Sequence, residues 1–359
     1  MKKKISIIFG GRSSEHEVSI RSAFNIYKAL DKNKFDPILI GISKQGTWYL
    51  FSEKNMSEFT ALNDADLQNQ TPVTLISHQG KPFILNLNTH EKNSFDCAFP
   101  IVHGTNGEDG TLQGLFKMTN VPFIGCGVLG SAICMDKEYM KIAMTFANIP
   151  NSKFQVLRKN EKNDFTQISQ NLGLPFFIKP ANAGSSVGVH KIKSETDFQQ
   201  KLANAFQYDH KIIAEEFIQG REIECSVMGL NRAPEAATPG ELVVKHEFYS
   251  YEAKYLDDSG AEIIIPAKLS ESETENIRKL AVETYTALSC DGMARVDFFM
   301  RPNGSLIVNE VNTLPGFTKI SMYPMMWQAR GLNYSDLITK LIELAFQKHN
   351  LDQEIKLTF

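Results

Sequence analysis

None of the five cysteines (Cys97, Cys126, Cys134, Cys225 and Cys290) lies in a CxxC pair, and an odd, scattered set argues against both a disulfide framework and a zinc site. Such usage fits a reducing cytoplasm. No segment approaches the roughly 20 apolar residues that span a bilayer. The apolar stretch after Lys2, Lys3 and Lys4 runs only from Ile5 to Phe9, too short for the core of a secretory signal. With 38 basic and 41 acidic residues the formal net charge is −3, which offers no basic surface for nucleic acid, and no run of like charge marks a membrane-binding tail. Internal repeats, low-complexity tracts and a GxxxxGK[ST] phosphate loop are missing too. These absences leave a soluble globular protein with small-molecule partners. A length of 359 residues with 42% hydrophobic content suffices for two or three cores.

The patterning begins with a βαβ unit: "ISIIF", a glycine turn in "GGRSSEHEVS", a helical repeat through Ile20, Ile26 and Leu30, then "DPILIGI". A polar stretch from Ser52 to Asn93 reads as decoration of this unit, and "DCAFPIV" and "VPFIG" read as further buried strands. An α/β layer over residues 1–127 results. From Ser131 to Asn148 the repeat is helical. Short strands ("FQVL", "PFFIKPA", "VGVHKI", "KIIAEEFI") then alternate with helices in an α+β unit over 128–218. The remainder, 219–359, holds "REIECSVMG", a long polar and aromatic stretch, a helix from Glu271 to Leu288, "GMARVDFFMRPNGSLIVNEVN" and a closing helix from Tyr334 to Lys348.

Within that remainder two β-rich runs flank Pro-Asn-Gly, and Asn-Gly is a strong hairpin signal. A two-residue loop at Asn303 and Gly304 makes Asp297 face Glu310 and Arg295 face Asn312. Opposed Cβ atoms lie about 4.5 to 5.5 Å apart, and two carboxylates at about 5 Å repel by roughly 3 kcal/mol in an effective dielectric of about 20. A divalent cation would offset that, and an all-oxygen set of Asp297, Glu310 and Asn312 suits magnesium carrying phosphate oxygens. The competing reading puts Arg295 between the acids in a salt-bridged cluster. A three-residue loop would slip the register and move Asp297 to the face opposite Glu310.

Other glycine-rich segments discriminate among functions. "GCGVLG" (Gly125 to Gly130) matches GxGxxG, but Ile149 to Leu157, where a dinucleotide fold needs an acid, carries none. "GSSVG" (Gly184 to Gly188) matches GxSxG, yet "VHKI" follows where a nucleophile elbow requires a helix. The same segment, with Lys179 ending the preceding strand, suits a flexible cover over phosphates.

Taken together, "FGGRSSEHEVS", "HGTNGEDGTLQG", "MDKEYMK", "IKPANAGSSVGV", "YSYEAKY", "ARVDFF" and "NEVNTLPGF" resemble, in order, the motifs of D-alanine:D-alanine ligases of the ATP-grasp superfamily, from Ile5 to about Leu344. The resemblance implies a three-domain fold: an N-terminal parallel α/β domain, then two ATP-grasp domains that grip ATP between their sheets. It implies ATP-dependent joining of two D-alanines through an acyl phosphate for peptidoglycan precursors, in a cytoplasmic homodimer using two Mg2+ or Mn2+ ions.

By the same resemblance, Lys137, Lys179 and Lys254 bind phosphates, with Ser186 and Asn309 beside them. Glu215, Phe217, Ile218, Glu222 and Phe299 form the adenosine pocket. Asp297, Glu310 and Asn312 hold the metal. Glu15 takes the ammonium of the first D-alanine with Ser185 and Tyr255, and His103 lies nearby. Arg295 and the N–H of Gly316 form the oxyanion site, and Ser321 binds the second carboxylate. Read singly, Glu15 is a first-turn helix acid, His103 a loop-ordering histidine, and Tyr249, Tyr251 and Tyr255 loop anchors. Ser250 replaces an acid found in many relatives, and the first domain is longer than in the shortest. A ligase forming an ester with D-lactate, or one taking D-serine, is the nearest alternative, and Tyr255 speaks for a peptide product. A non-catalytic nucleotide-binding regulator would be expected to lose Arg295 or a metal acid. Another carboxylate–amine ligase would lack "HGTNGEDG" and "EAKY" together.

Overall fold

A computed structural model describes residues 2–52, 70–244 and 261–356; the polar stretch 53–69 and the aromatic stretch with Tyr249, Tyr251, Lys254 and Tyr255 lie outside them. The expected βαβ unit is present: β1 (Lys3–Gly10), α1 (His16–Ala29) and β2 (Phe35–Ile42), with β1 and β2 parallel. The sheet is nevertheless mixed rather than parallel. β3 (Trp48–Phe51), β4 (Thr71–His78), β5 (Lys81–Asn86) and β6 (Lys92–Ser94) extend it antiparallel, while β7 (Cys97–Pro100) pairs parallel with β1. The stretch expected to decorate the unit thus builds three of its seven strands, β4 to β6, in a sheet of order β6-β5-β4-β3-β2-β1-β7. "VPFIG" is not a strand; a single bridge joins Phe123 to Ala98 before Gly125 turns the chain away.

After α2 (Thr111–Met118), the single helix expected from Ser131 is two, α3 (Val128–Met135) and α4 (Lys137–Phe146). Asp136 breaks them because it sits in an extended conformation and its carboxylate accepts the N–H groups of Glu138 and Tyr139, a side-chain N-cap. A four-stranded sheet follows, built from β8 (Phe154–Arg158), β9 (Phe176–Pro180), β10 (His190–Ile192) and β11 (Lys211–Glu216) in the order β10-β9-β11-β8. Its helices α5 (Phe165–Leu172) and α6 (Glu195–Ala205) start at Asp164 and Ser194, each capping with its own side chain. Phe176, Ile178, Ile212 and Ala214 alternate onto one face and pack on Ile168, Phe198 and Leu202.

The third sheet comprises β12 (Arg221–Gly229), β13 (Glu235–Ala236), β14 (Gly240–Val244), β15 (Ala261–Ile264), β16 (Gly292–Met300) and β17 (Leu306–Asn312). α7 (Glu271–Ala287), opened by a Ser270/Glu273 capping box, covers one face. There Ile277, Ala281 and Tyr285 meet Ile223, Cys225, Val227, Val296 and Phe298. α8 (Met322–Ala329) and α9 (Tyr334–Gln353) close the chain. Their Met322, Trp327, Leu337, Leu341 and Ile342 share one core with Ile5, Ile7, Phe9 and Phe99 of the first sheet.

The hairpin differs from expectation in a way that preserves its purpose. Arg301 N–H donates to Ser305 O and Gly304 N–H to Arg301 O, both at 2.9 Å, so Pro302, Asn303 and Gly304 form a three-residue loop with Gly304 at φ +81°. Met300 accordingly faces Leu306 and Phe298 faces Val308, but the next pair is Asp297 with Glu310. A β-bulge at Asn309 absorbs the extra residue and restores the pairing of Asp297 with Glu310 and Arg295 with Asn312. The bulge also explains how Val308 and Val311, three residues apart, both bury in the core.

Candidate active site

Residues in register share a face, so the side of the third sheet away from α7 carries Glu222 opposite Phe299, Glu224 opposite Asp297 and Glu310, and Ser226, buried under α8, opposite Arg295 and Asn312. The side of the four-stranded sheet away from α5 and α6 carries Phe177, Lys179, Lys191 and Glu215 by the same alternation, with Lys141 of α4 packed over Glu215. These polar faces meet across a cleft: Lys179 Nζ lies 3.5 Å from Asn309 Oδ1, and Lys137 Nζ lies 4.0 Å from Glu310 Oε2.

On the lysine-rich side, Glu215 is buried between Lys141 Nζ at 2.8 Å and Lys179 Nζ at 2.7 Å. Burial opposes its charge, but the two ammonium groups overwhelm that effect and hold the carboxyl down at about 2. Burial pushes the Lys137 and Lys141 ammonium groups down. Lys137 Nζ donates to Ala183 O at 2.9 Å, at the foot of the Gly184–Gly188 loop. Phe217 is half open, its ring 6.0 Å from that of Phe177 with Lys191 Nζ 4.8 Å above it, and Ile218 is buried beside it.

On the acid-rich side, Arg295 clasps Asp297 through Nε and Nη2, each at 2.7 Å, while Nε also lies 2.9 Å from Glu224. Burial works against the guanidinium charge, but Asp297 and Glu224 more than offset it and raise its pKa well above the ordinary value. The clustering of Arg295 with an acid is therefore real, and Glu310 still faces Asp297. Among the described residues no group of three or more His, Cys, Asp or Glu side chains is arranged for a metal. The expected set has two acids and an amide; Arg295 already offsets part of the Asp297–Glu310 repulsion, and it is the oxygen-only donor chemistry that fits a hard divalent cation. Asn312 Oδ1 already accepts the Leu314 N–H at 3.2 Å.

The N-terminal unit closes the end of the cleft. Glu15 accepts a short hydrogen bond from Ser185 Oγ, and its own N–H donates to Ser13 Oγ at 3.1 Å. A Cβ on Gly104 or Gly184 would sit 3.0 or 3.1 Å from Glu15 Oε2, so these glycines admit the carboxylate. Ser185 and Ser186 both adopt positive φ, which fits a loop folded back on itself. His103 Nδ1 lies 3.0 Å from Leu314 O and 3.8 Å from Glu108 Oε1. Burial alone would lower the His103 pKa, and Glu108 raises it beyond that. Ser22 Oγ bridges His103 Nε2 and the Phe317 N–H at 3.2 Å each, while Asn25 Nδ2 and the Tyr334 hydroxyl both donate to Phe317 O. Gly316 backs onto Ser321, whose Oγ would be 2.7 Å from a Cβ there. Ser321 Oγ accepts the Thr318 N–H at 2.9 Å.

The structure thus gathers Glu15 with Ser185, His103 with the loop carrying Gly316 and Ser321, and Lys137, Lys179, Glu215, Asn309 and Glu310 around one cleft, with Glu222 and Phe299 paired across the strands of its floor. Tyr255 and Lys254 lie outside the described residues. Sequence reasoning gave no role to Lys141, Glu224, Glu108 or Lys191. The first stands one turn after Lys137, and Glu224 stands two residues after Glu222, so helical and strand periods point both into the site.

The family model described as the D-Ala D-Ala ligase N-terminus matches residues 4–126, and that for the D-Ala D-Ala ligase C-terminus matches 143–343. A D-alanine–D-alanine ligase of Shouchella clausii is 48% identical over 360 residues, covering 99% of this chain and 98% of that one. The D-alanine–D-alanine ligase structure from Coxiella burnetii aligns with a TM-score of 0.87 and 39% identity, over 98% of this chain and 96% of its own. The VanG D-Ala:D-Ser ligase of Enterococcus faecalis aligns with a TM-score of 0.87 and 37% identity, over 96% of this chain and 100% of its own.

Proposed function

The chain belongs to the D-alanine–D-alanine ligase family of ATP-dependent, ATP-grasp ligases, and from that premise we propose how its own residues divide the work of making D-alanyl-D-alanine. A carboxylate is a poor electrophile until one oxygen becomes a good leaving group. The first D-alanine therefore attacks the terminal phosphorus of ATP, releasing ADP and forming an acyl phosphate. The amine of the second then attacks the carbonyl carbon, and the tetrahedral intermediate expels phosphate.

Lys137, Lys179 and Lys254 bind the phosphates beneath Ser186, with Asn309 alongside, while Phe217, Ile218, Glu215, Glu222 and Phe299 enclose the adenosine. Asp297, Glu310 and Asn312 would hold Mg2+ or Mn2+, as two ions, which when bound neutralises phosphate charge during transfer. Glu15, with Ser185 and Tyr255, takes the ammonium of the first D-alanine beside His103. The guanidinium of Arg295 and the Gly316 N–H stabilise the oxyanion of the tetrahedral intermediate, and Ser321 takes the second carboxylate. The observation that carries this reading is the meeting of Lys137 and Lys179 with Glu310 and Asn309 across one cleft, a cation-rich face against an acid-rich one.

We infer units of 1–127, 128–218 and 219–359 and a cytoplasmic enzyme; no described helix is long and apolar enough to cross a membrane. The homodimer implied by the resemblance would bury the exposed apolar side chains of consecutive helices, Met118, Leu129, Ile142 and Phe146. The experiment is ATP consumption screened against D- and L-amino acids, with D-serine and D-lactate competing as acceptors and the product weighed by mass spectrometry. The expected outcome is ADP release with D-alanine alone and D-alanyl-D-alanine as main product. A dominant ester or D-serine product overturns the assignment.

A further inference from the structure

Lys141 stands four residues after Lys137 on α4, so both side chains leave the same helical face. Its side chain is 0% exposed, and its Nζ donates to Ser152 Oγ at 2.8 Å while lying 2.8 Å from Glu215 Oε1. The other oxygen of that carboxylate, Oε2, takes Lys179 at 2.7 Å. The two lysines are not equivalent. Lys141 is held in place by Ser152, over the ring of Phe154 at 5.6 Å, whereas Lys179 also reaches across the cleft to Asn309.

The charge balance gives this asymmetry a purpose. One carboxylate between two ammonium groups leaves one positive charge over. Without Lys141, Glu215 and Lys179 would close into a neutral pair, and Lys179 could turn to another anion only by stranding a buried carboxylate, which is strongly unfavourable. We propose that Lys141 is a positioning residue of the nucleotide cleft, the permanent counter-charge to Glu215 that frees Lys179 to turn onto a polyphosphate. This rests on the reading of the cleft as the ATP site.

The test compares Lys141→Met, Lys141→Arg, Glu215→Gln, the Lys141→Met/Glu215→Gln double variant and Ser152→Ala with the parent enzyme, folding being followed by near-ultraviolet circular dichroism. D-alanine-dependent ADP release by the parent comes first; its absence would sink the reading of the site and not the role of Lys141. In Lys141→Met the KM for ATP should rise on the order of tenfold while that for D-alanine stays within about twofold, with Lys141→Arg in between. The double variant should match Glu215→Gln in its KM for ATP, because Lys141 acts through the carboxylate and has nothing to counter once that charge is gone. An unchanged KM for ATP in Lys141→Met, an equal rise for both substrates, or a double variant whose ATP KM exceeds that of Glu215→Gln as much as Lys141→Met exceeds the parent overturns the proposal. Should Lys141→Met fail to fold, Ser152→Ala decides: a rise of about two- to fivefold in the ATP KM alone supports it, and no rise overturns it.

Discussion

The two faces of the cleft solve the same problem with opposite charges. On the four-stranded sheet a carboxylate, Glu215, is clasped by two ammonium groups; on the six-stranded sheet a guanidinium, Arg295, is clasped by two carboxylates, Asp297 and Glu224. Each knot satisfies its central group and leaves one unit of charge over, positive on one side and negative on the other. The difference teaches why neither sheet alone is a site: the lysine side suits phosphate, the acid side suits a cation, and a nucleotide carrying its metal ion bridges them.

The acid side offers the sharpest way to break this comparison. Glu310→Ala should lower ADP release on the order of 10³-fold, the loss of several kcal/mol of charge stabilisation, with the thermal midpoint moved only a few degrees. A coupled assay with titrated Mg2+ checks it, and full activity would remove Glu310 from the metal site.

An intermediate effect is expected on the lysine side. The Glu215 carboxyl, held at about 2 in the folded protein against an ordinary 4.5, contributes stability that is complete above pH 4.5 and is lost as pH falls toward 2. At about 1.4 kcal/mol for each tenfold change in proton affinity, that contribution is about 3 kcal/mol. Urea unfolding of the parent from pH 4.5 to 2 should steepen by that amount relative to Glu215→Gln, and parallel curves would contradict it.

The smallest effect concerns Lys191 above Phe217. Lys191→Met removes a cation–π contact of about 0.5 to 1 kcal/mol and should raise the ATP KM about two- to fivefold without changing kcat. A fall in kcat with KM held would assign Lys191 a different task.

Much of this was legible in the sequence where local pattern and motif coincide. The βαβ unit, the strands of the four-stranded sheet and the hairpin follow from periodicity. The facing of Asp297 and Glu310 was foreseen for a mistaken reason: the loop is one residue longer than expected, and only the bulge at Asn309, which no local signal announces, returns the acids to one another. The strands β4 to β6 were missed because polar residues surround their apolar positions, Val73, Leu75 and Ile84, which bury only through sheet packing. Asp136 reads as one more helical residue until its side chain is seen capping α4. Lys141 gave no sign of its partner, because Glu215 is 74 positions away and only the fold brings them together.

The core shared by the first strand and the last helix has a consequence for biosynthesis. Proteins leave the ribosome from the N-terminus, and early domains usually fold while later ones are still being made. Here α1 and β7 wait for α9 to pack against them, and Ser22, Asn25 and His103 wait for the Leu314–Phe317 segment they hold. That apolar core is therefore completed only once the last helix has been made.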